Sequence, residues 1–257
     1  MTTINSLKDR VKQYQELSDF KLMKGLPLIL VINGRNFSKV SSLINKPFSI
    51  DFTSCLAATM LKLIQEVDGS VMGYCFNDEI IIVSHSENYN AQFWYDGRIQ
   101  KISSAVSSVG TLEFSKQAKE KNLELLGDPI FLSHVFSLPN IQETINLLIS
   151  KQNQCFNSAV NSAAYHELSK KYSHVVARDT LNDKTTTEKI EILNEECNIE
   201  FESYSLPFRN GVATFRRESL IDGSEQTRKK IVLDVDLPRF SKNQNYLRNI
   251  FNSIKIQ

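Results

Sequence analysis

Residues 27–37 read Pro27-Leu28-Ile29-Leu30-Val31-Ile32-Asn33-Gly34-Arg35-Asn36-Phe37, an apolar run that stops abruptly at Asn-Gly. A short run of Leu, Ile and Val bounded in this way suits a β-strand buried on both faces. Moving outward, residues 49–67 space Phe52, Cys55, Leu56, Met60, Leu63 and Ile64 as one helical stripe. Asp51 stands near its start, where a negative charge favours the helix dipole, and Asp68-Gly69 closes it. Val71 to Phe76 and Glu79 to Ser84 are two more apolar runs, joined only by Asn77-Asp78, the pattern of a tight hairpin. A helix over residues 91–114, with Ile99, Ile102, Val106 and Val109 on one face, and a strand over 129–136 complete the series. Strand–helix–strand–strand–helix–strand predicts a split βαβ (ferredoxin-like) α+β fold, an antiparallel sheet with both helices on one face. Many nucleotide polymerases and cyclases use this topology as their palm, and by itself it assigns no function.

On the upstream side, Leu7, Val11, Tyr14 and Leu17 outline a short amphipathic helix within residues 6–20. Beyond Pro139 the pattern of residues 140–172 is helical throughout and reads as two helices with a break at 151–154. Residues 178–198 are polar, with Thr at 185–187, and read as a loop plus a surface helix. Short strands follow at 212–216 and 230–236, separated by a loop at 219–227, and an amphipathic stretch at 246–256 ends the series. No internal repeat and no linker rich in Pro, Gly or Ser divides the chain. The expected organisation is a palm-like core over 1–138 with a helical and β extension, 139–257, packed on it.

Composition excludes several classes. The chain has 257 residues, 41% of them apolar, with 30 basic against 29 acidic side chains. That supports a sizeable core and argues against disorder. The purely apolar run Leu28–Ile32 is far shorter than a membrane helix needs, and no leader opens the sequence, so a cytoplasmic protein with no membrane partner is expected. With charge so balanced, any phosphate binding must come from local clusters. Cys55, Cys75, Cys155 and Cys197 form no CxxC pair and read as free thiols in a reducing compartment; the four histidines show no HExxH spacing, so structural zinc is not expected.

The split βαβ topology brings the end of the first strand beside the hairpin tip. Magnesium takes hard oxygen ligands, mostly carboxylates and phosphates, which makes Asp78 the natural ligand. Glu79, one residue on, points to the opposite face of its strand and reads as structural. Asn77-Asp78 and Asn33-Gly34 are also good turn formers, and the pattern alone leaves that plainer reading open.

Together these stretches resemble the tRNA-histidine guanylyltransferase family, the 3′-to-5′ nucleotide polymerases. The family signature Ile/Leu-Asp-Gly-Arg-x-Phe corresponds to Ile32-Asn33-Gly34-Arg35-Asn36-Phe37, its Lys-Pro to Lys46-Pro47, and Tyr-Gly-Gln-Ser-Asp-Glu to Tyr74-Cys75-Phe76-Asn77-Asp78-Glu79. Lys151-Gln152-Asn153-Gln154-Cys155, with Asn157 and Asn161, is similar to Arg-Gln-x-x-Cys-His-Ile-Asn-Asn-Leu-Tyr-Asn; Pro207-Phe208-Arg209-Asn210-Gly211 is similar to Met-Tyr-Arg-Lys-Gly. The resemblance implies a polymerase-like palm in a homo-oligomer, dimer or tetramer. It also implies one or two magnesium ions, ATP and GTP as substrates, and addition of nucleotides to the 5′ end of tRNA or another RNA. It places Asp78 and Asn33 as catalytic, and Asp78, Gly34 and Asn33 around the metal. Nucleotide contacts fall on Arg35, Asn36, Phe37, Lys46, Asn77, Arg98 and Lys101, and RNA contacts on Asn157, Asn161 and Arg209. For Arg98 and Lys101 a solvated helix face remains the alternative.

The departures carry equal weight. Asn33 replaces the first carboxylate, so the site loses a full charge. Val31 stands where the family has arginine, the histidine after Cys155 has no clear equivalent, and Asn182-Asp183-Lys184 only echoes the family's Ala-Asp-Lys-Asn-Glu. Asp51 and Glu113 are conceivable substitute carboxylates. Two readings stand, a divergent nucleotidyltransferase and an impaired homologue that binds nucleotide or RNA or serves assembly. A nucleotide cyclase on the same palm rests on topology alone.

Overall fold

The computed structural model describes residues 6–86, 88–90, 92–220 and 227–252. In chain order the elements are α1 (Leu7–Glu16), β1 (Leu28–Gly34), α2 (Phe37–Val40), α3 (Ile50–Glu66), β2 (Ser70–Phe76) and β3 (Glu79–Ser84). They continue with α4 (Ile99–Glu120), β4 (Phe131–Ser137), α5 (Ile141–Lys171), α6 (His174–Leu181) and α7 (Thr186–Cys197). Then come α8 (Leu206–Asn210), β5 (Val212–Leu220), β6 (Thr227–Asp234) and α9 (Gln244–Asn252).

The sheet runs β4-β1-β3-β2-β5-β6, with antiparallel pairing throughout. Its first four strands have the order the split βαβ reading requires. Alternate residues of β1 enter different cores. Leu28, Leu30 and Ile32 pack with Ile80 and Ile82 beneath α3 and α4, where Leu56, Met60, Leu63, Ile102, Val106 and Phe114 are buried. Ile29 and Val31 pack with Ile81 and Val83 against Ile145 and Leu148 of α5 and Leu247 and Phe251 of α9. Both faces are therefore dry, which is why the run lacks polar alternation. The far half of α5 forms a third cluster with α6 and α7, through Ala159, Ala163, Leu168, Leu181 and Leu193. The strands of the second half join the same sheet: Val212 pairs with Cys75 and Phe215 with Met72. Among the described residues no helix is long and apolar enough to cross a membrane.

Three sequence expectations need correction. The helix expected over 91–114 begins at Ile99 and runs on to Glu120; Tyr95 and Asp96, with φ of 48° and 54°, break the pattern before it, and Ala91 lies outside the described residues. The break expected at 151–154 is absent, and α5 is one helix of 31 residues. Its polar residues there have tertiary partners: Lys151 bonds Glu79, and buried Gln152 accepts from the Phe240 N–H and donates to the carbonyls of Asn210 and Pro238. The polar stretch after 172 carries two helices. A capping box between Thr185 and Glu188 starts the second, which buries Leu193. Of the expected loop at 219–227, residues 221–226 lie outside the described residues, as do residues 253–256 of the closing stretch.

Candidate active site

The β2–β3 hairpin turns within two residues, because Phe76 pairs with Glu79. Asn77 takes a left-handed φ of 49°, which asparagine tolerates, and its Nδ2 donates to Ser158 Oγ on α5 at 3.0 Å. Beside the tip, the Gly34 N–H donates to the Asp78 main-chain carbonyl at 2.9 Å. The strand exit and the hairpin tip are thus in direct contact. Gly34 must be glycine because Phe37 folds back over it; a Cβ there would lie 2.3 Å from the Phe37 ring. That ring is itself held between Phe114 and Phe131, with centroids 5.5 and 4.9 Å away.

Asp78 lines a cavity of about 370 Å³. Burial raises the pKa of its carboxyl, and a hydrogen bond to its own backbone opposes that shift. The cavity is closed by the loop carrying Lys46, Pro47 and Phe48, by the start of α3, by Ser158 and Ser162 of α5, and by Phe208 of α8. Phe48 and Phe208, both lining the cavity, stack face to face with centroids 4.8 Å apart and planes 10° apart. Lys46 and Asp78 are the charged liners. An aromatic stack, several short polar side chains, one cation and one carboxylate suit a planar heterocycle with an anionic tail.

Across the strand pair, Asn33 lies opposite Glu79, so the two share a sheet face. Lys151 Nζ lies 2.8 Å from Glu79 Oε1 and 2.9 Å from Oε2. Asp51 pairs with Lys121 at 3.7 Å, and Glu113 accepts from Gln117 at 2.8 Å along its own helix, so both proposed substitute carboxylates are engaged elsewhere. No group of three or more His, Cys, Asp or Glu gathers among the described residues. Among those residues the one carboxylate lining the cavity is that of Asp78; Asn33 and Gly34 adjoin the hairpin tip but are not among the lining residues. With a nucleotide's phosphates, one carboxylate fits one magnesium ion, which keeps several of its waters. It does not fit a pair of ions.

A sequence profile described as Thg1, tRNAHis guanylyltransferase, matches residues 8–139, just over half of the 257-residue chain. The chain belongs to the Thg1 family. It is 23% identical over 227 residues to the uncharacterized protein R259 of Acanthamoeba polyphaga mimivirus, a match covering 79% of this chain and 75% of R259. With tRNA(His) guanylyltransferase 1 of Arabidopsis thaliana it shares 24% identity over 219 residues, 83% of this chain and 38% of the plant protein. The chain thus spans well under half of that relative's length. A bacterial Thg1-like protein in complex with ATP superposes with a TM-score of 0.81 at 22% identity, over 96% of this chain and 99% of that one. The Saccharomyces cerevisiae tRNA(His) guanylyltransferase gives a TM-score of 0.69 at 18% identity, over 91% and 98%. These likenesses show that the fold is shared.

The positions matched to Thg1 motifs divide between several places. Lys46, Asn77, Asp78 and Phe37 border the cavity, Phe37 as a core residue only 2% exposed. Arg35 and Asn36 are exposed on the loop after β1; the Arg35 N–H donates to the Ile130 carbonyl at 2.7 Å, and Asn36 has a φ of 55°. Arg98 and Lys101 are not brought to this cavity. They line a separate cleft with Trp94 and Asp68 at the first turn of α4, and Arg98 Nε lies 3.3 Å from Asp19. The turn of α4 that meets β4 beside Gly34 is the one carrying Thr111, whose hydroxyl accepts from the Phe131 N–H. At the helical rise, that turn is about 15 Å beyond Lys101 and about 20 Å beyond Arg98.

On α5, Asn157 and Asn161 turn toward α7. Thr186 Oγ1 donates to Asn157 Oδ1 at 3.1 Å and Lys189 Nζ to Asn161 Oδ1 at 2.8 Å. Ser158 and Ser162 face the cavity instead. Counting without a gap from Cys155 puts two of the Thg1 asparagines on these serines, a signal the residue-by-residue match to asparagine passed over. The Thg1 histidine then falls on Phe156, whose ring carries the Arg239 guanidinium 3.9 Å from its centroid. Arg209 sits half-buried on α8, beside the cavity liner Phe208.

Proposed function

We propose that this Thg1-family chain is a nucleotidyltransferase that binds ATP or GTP in the cavity at Asp78. It would add a nucleotide to the 5′ end of an RNA, tRNA first of all, in the 3′-to-5′ direction. The observation that carries the proposal is the contact of Gly34 with Asp78, whose side chain lines a cavity that the Phe48–Phe208 stack and Lys46 also line. Relatives with this fold are bacterial Thg1-like proteins in complex with ATP and with GTP.

In this reading the base packs against the Phe48–Phe208 stack, and Ser158, Ser162 and Asn77 offer hydrogen bonds to its edge or to the sugar. Lys46 meets a phosphate, and exposed Arg35 and Asn36 stand on the adjoining loop to contact the same ligand. Asp78, with the Gly34 carbonyl and the Asn33 amide, would hold magnesium. When bound, that ion neutralises phosphate charge and polarises the reacting oxygens. Arg98 and Lys101, about 15 to 20 Å along α4, would serve the nucleotide of a neighbouring copy, in keeping with a dimer or tetramer. Asn157, Asn161 and Arg209 would meet the RNA beyond the cavity.

The test is incubation with 5′-phosphorylated tRNAs, labelled nucleotide and magnesium. Wild type is expected to incorporate label, and Asp78→Ala to lose it by at least about a hundredfold, the scale of losing a group that organises transition-state charge. Absence of incorporation by wild type across RNAs would reject turnover. The second reading, a homologue that binds nucleotide or RNA or serves assembly without turnover, is favoured by one observation: Asn33 is neutral and Glu79, opposite it, is already paired. Nucleotide binding without incorporation would decide for it.

A further inference from the structure

We infer that the cavity takes its nucleoside triphosphate with a single divalent ion, where a two-ion phosphoryl-transfer centre holds a pair. The inference rests on the nucleotide reading above and concerns how its site is charged. Two dications held about 4 Å apart repel strongly, and such centres offset that repulsion with anionic side chains placed between and around the ions.

Here the protein contributes little anionic charge. Asp78 is one carboxylate. Asn33 is neutral. Glu79 is the obvious replacement, since it lies directly opposite Asn33 on the same sheet face. Lys151 offsets its charge: Nζ donates to Oε2 at 2.9 Å and lies 2.8 Å from Oε1, which accepts no hydrogen bond, and the lysine side chain is only 18% exposed. Turning Glu79 toward an ion would strip a nearly buried ammonium of its partner, which is costly. Asp51 and Glu113 are held by Lys121 and Gln117. The group Asn33, Asp78, Glu79 and Lys151 therefore carries a net charge of −1 at neutral pH. That suffices for one ion shared with the phosphates. A second ion would meet, on the protein side, neutral oxygens and a Glu79 carboxylate whose charge Lys151 already offsets.

The consequence is that the transfer proposed above would proceed with one ion, shared between Asp78 and the nucleotide's phosphates. The experiment counts manganese bound per chain, by electron paramagnetic resonance and equilibrium dialysis, with a saturating non-hydrolysable ATP analogue. Wild type is expected to bind one ion per bound nucleotide. Asn33→Asp, which restores a carboxylate at the strand exit, is expected to bind two, the second at least tenfold more tightly than any second ion in wild type. Two ions of comparable affinity in wild type would overturn the inference, as would a folded Asn33→Asp protein that still binds one. Failure of wild type to bind analogue or ion at all would reject the nucleotide reading itself. The wild-type count needs no variant, so the inference stays exposed to test even if Asn33→Asp does not fold.

Discussion

Lys151, a third of the way along α5, donates to Glu79 Oε2 at 2.9 Å and lies 2.8 Å from Oε1, and the two side chains are only 18% and 13% exposed. This pair ties the long helix to the first residue of β3, directly beside Asp78. Removing one partner leaves an uncompensated charge out of water, so Lys151→Met is expected to destabilise the protein by about 3 kcal/mol. Glu79→Gln in the same background should recover much of that loss. Urea denaturation of the two single variants and the double variant checks this. Strict additivity would mean that the pair contributes nothing as a pair.

Gly34→Ala places a methyl group 2.3 Å from the Phe37 ring. The ring is confined by Phe114 and Phe131, so it cannot yield without disturbing the core. A loss of about 2 kcal/mol is expected, the usual scale for overpacking. Thermal unfolding would show it, and an unchanged midpoint would mean that the loop after β1 moves freely.

Burial raises the Asp78 pKa. A raised carboxyl favours the folded state while protonated. That contribution is present below the unfolded-state value and is lost as pH climbs through the folded one. Above both, the ionised carboxylate is a standing cost. Asp78→Asn is therefore expected to raise the unfolding temperature at pH 7, with the gain shrinking as pH falls through the ordinary aspartate range. The same variant should lose ion-dependent nucleotide binding. A gain independent of pH would point away from burial as its cause.

Ser162 lines the cavity whereas Asn161 faces α7. Ser162→Leu should weaken nucleotide binding at least about tenfold, since a good share of the ligand's buried surface is displaced. Asn161→Ala should leave it within about twofold. Fluorescence titration with a labelled nucleotide separates the two, and equal effects would contradict the assigned helix phase.

The cysteines give a simpler check. Burial pushes the Cys55 thiol up to about 11 and that of Cys155 up to about 12, and raises that of Cys75 as well. Cys197 is partly exposed. Iodoacetamide at pH 8 is expected to modify Cys197 first and the other three only after denaturation, because the thiolate is the reactive form. Mass spectrometry of a time course would reveal any other order.

Local regularity made much of the molecule readable from its residues alone. The Leu28–Ile32 run, the stripe from Phe52 to Ile64 and the two-residue loop at Asn77-Asp78 each report their element through spacing that neighbouring residues enforce, and the four-strand order followed from their succession. That the strand exit and the hairpin tip can meet was legible from the split βαβ succession; that they do so through the Gly34 N–H and the Asp78 main-chain carbonyl was not.

What only the tertiary structure decided concerns polar residues. Lys151 and Gln152 looked like a helix break because polar side chains in an apolar register ordinarily seek water; here they find Glu79 and the carbonyls of Asn210 and Pro238. Asn157 and Ser158 differ by one position and hence by about 100° around α5, which sends one to α7 and the other to the cavity. Arg98 and Lys101 took their distance from Asp78 from the direction in which α4 crosses the sheet. Hydrophobic spacing records which side chains leave water. The partner that a buried polar group finds depends on residues distant in sequence, so that choice is made only when the sheet and α5 come together.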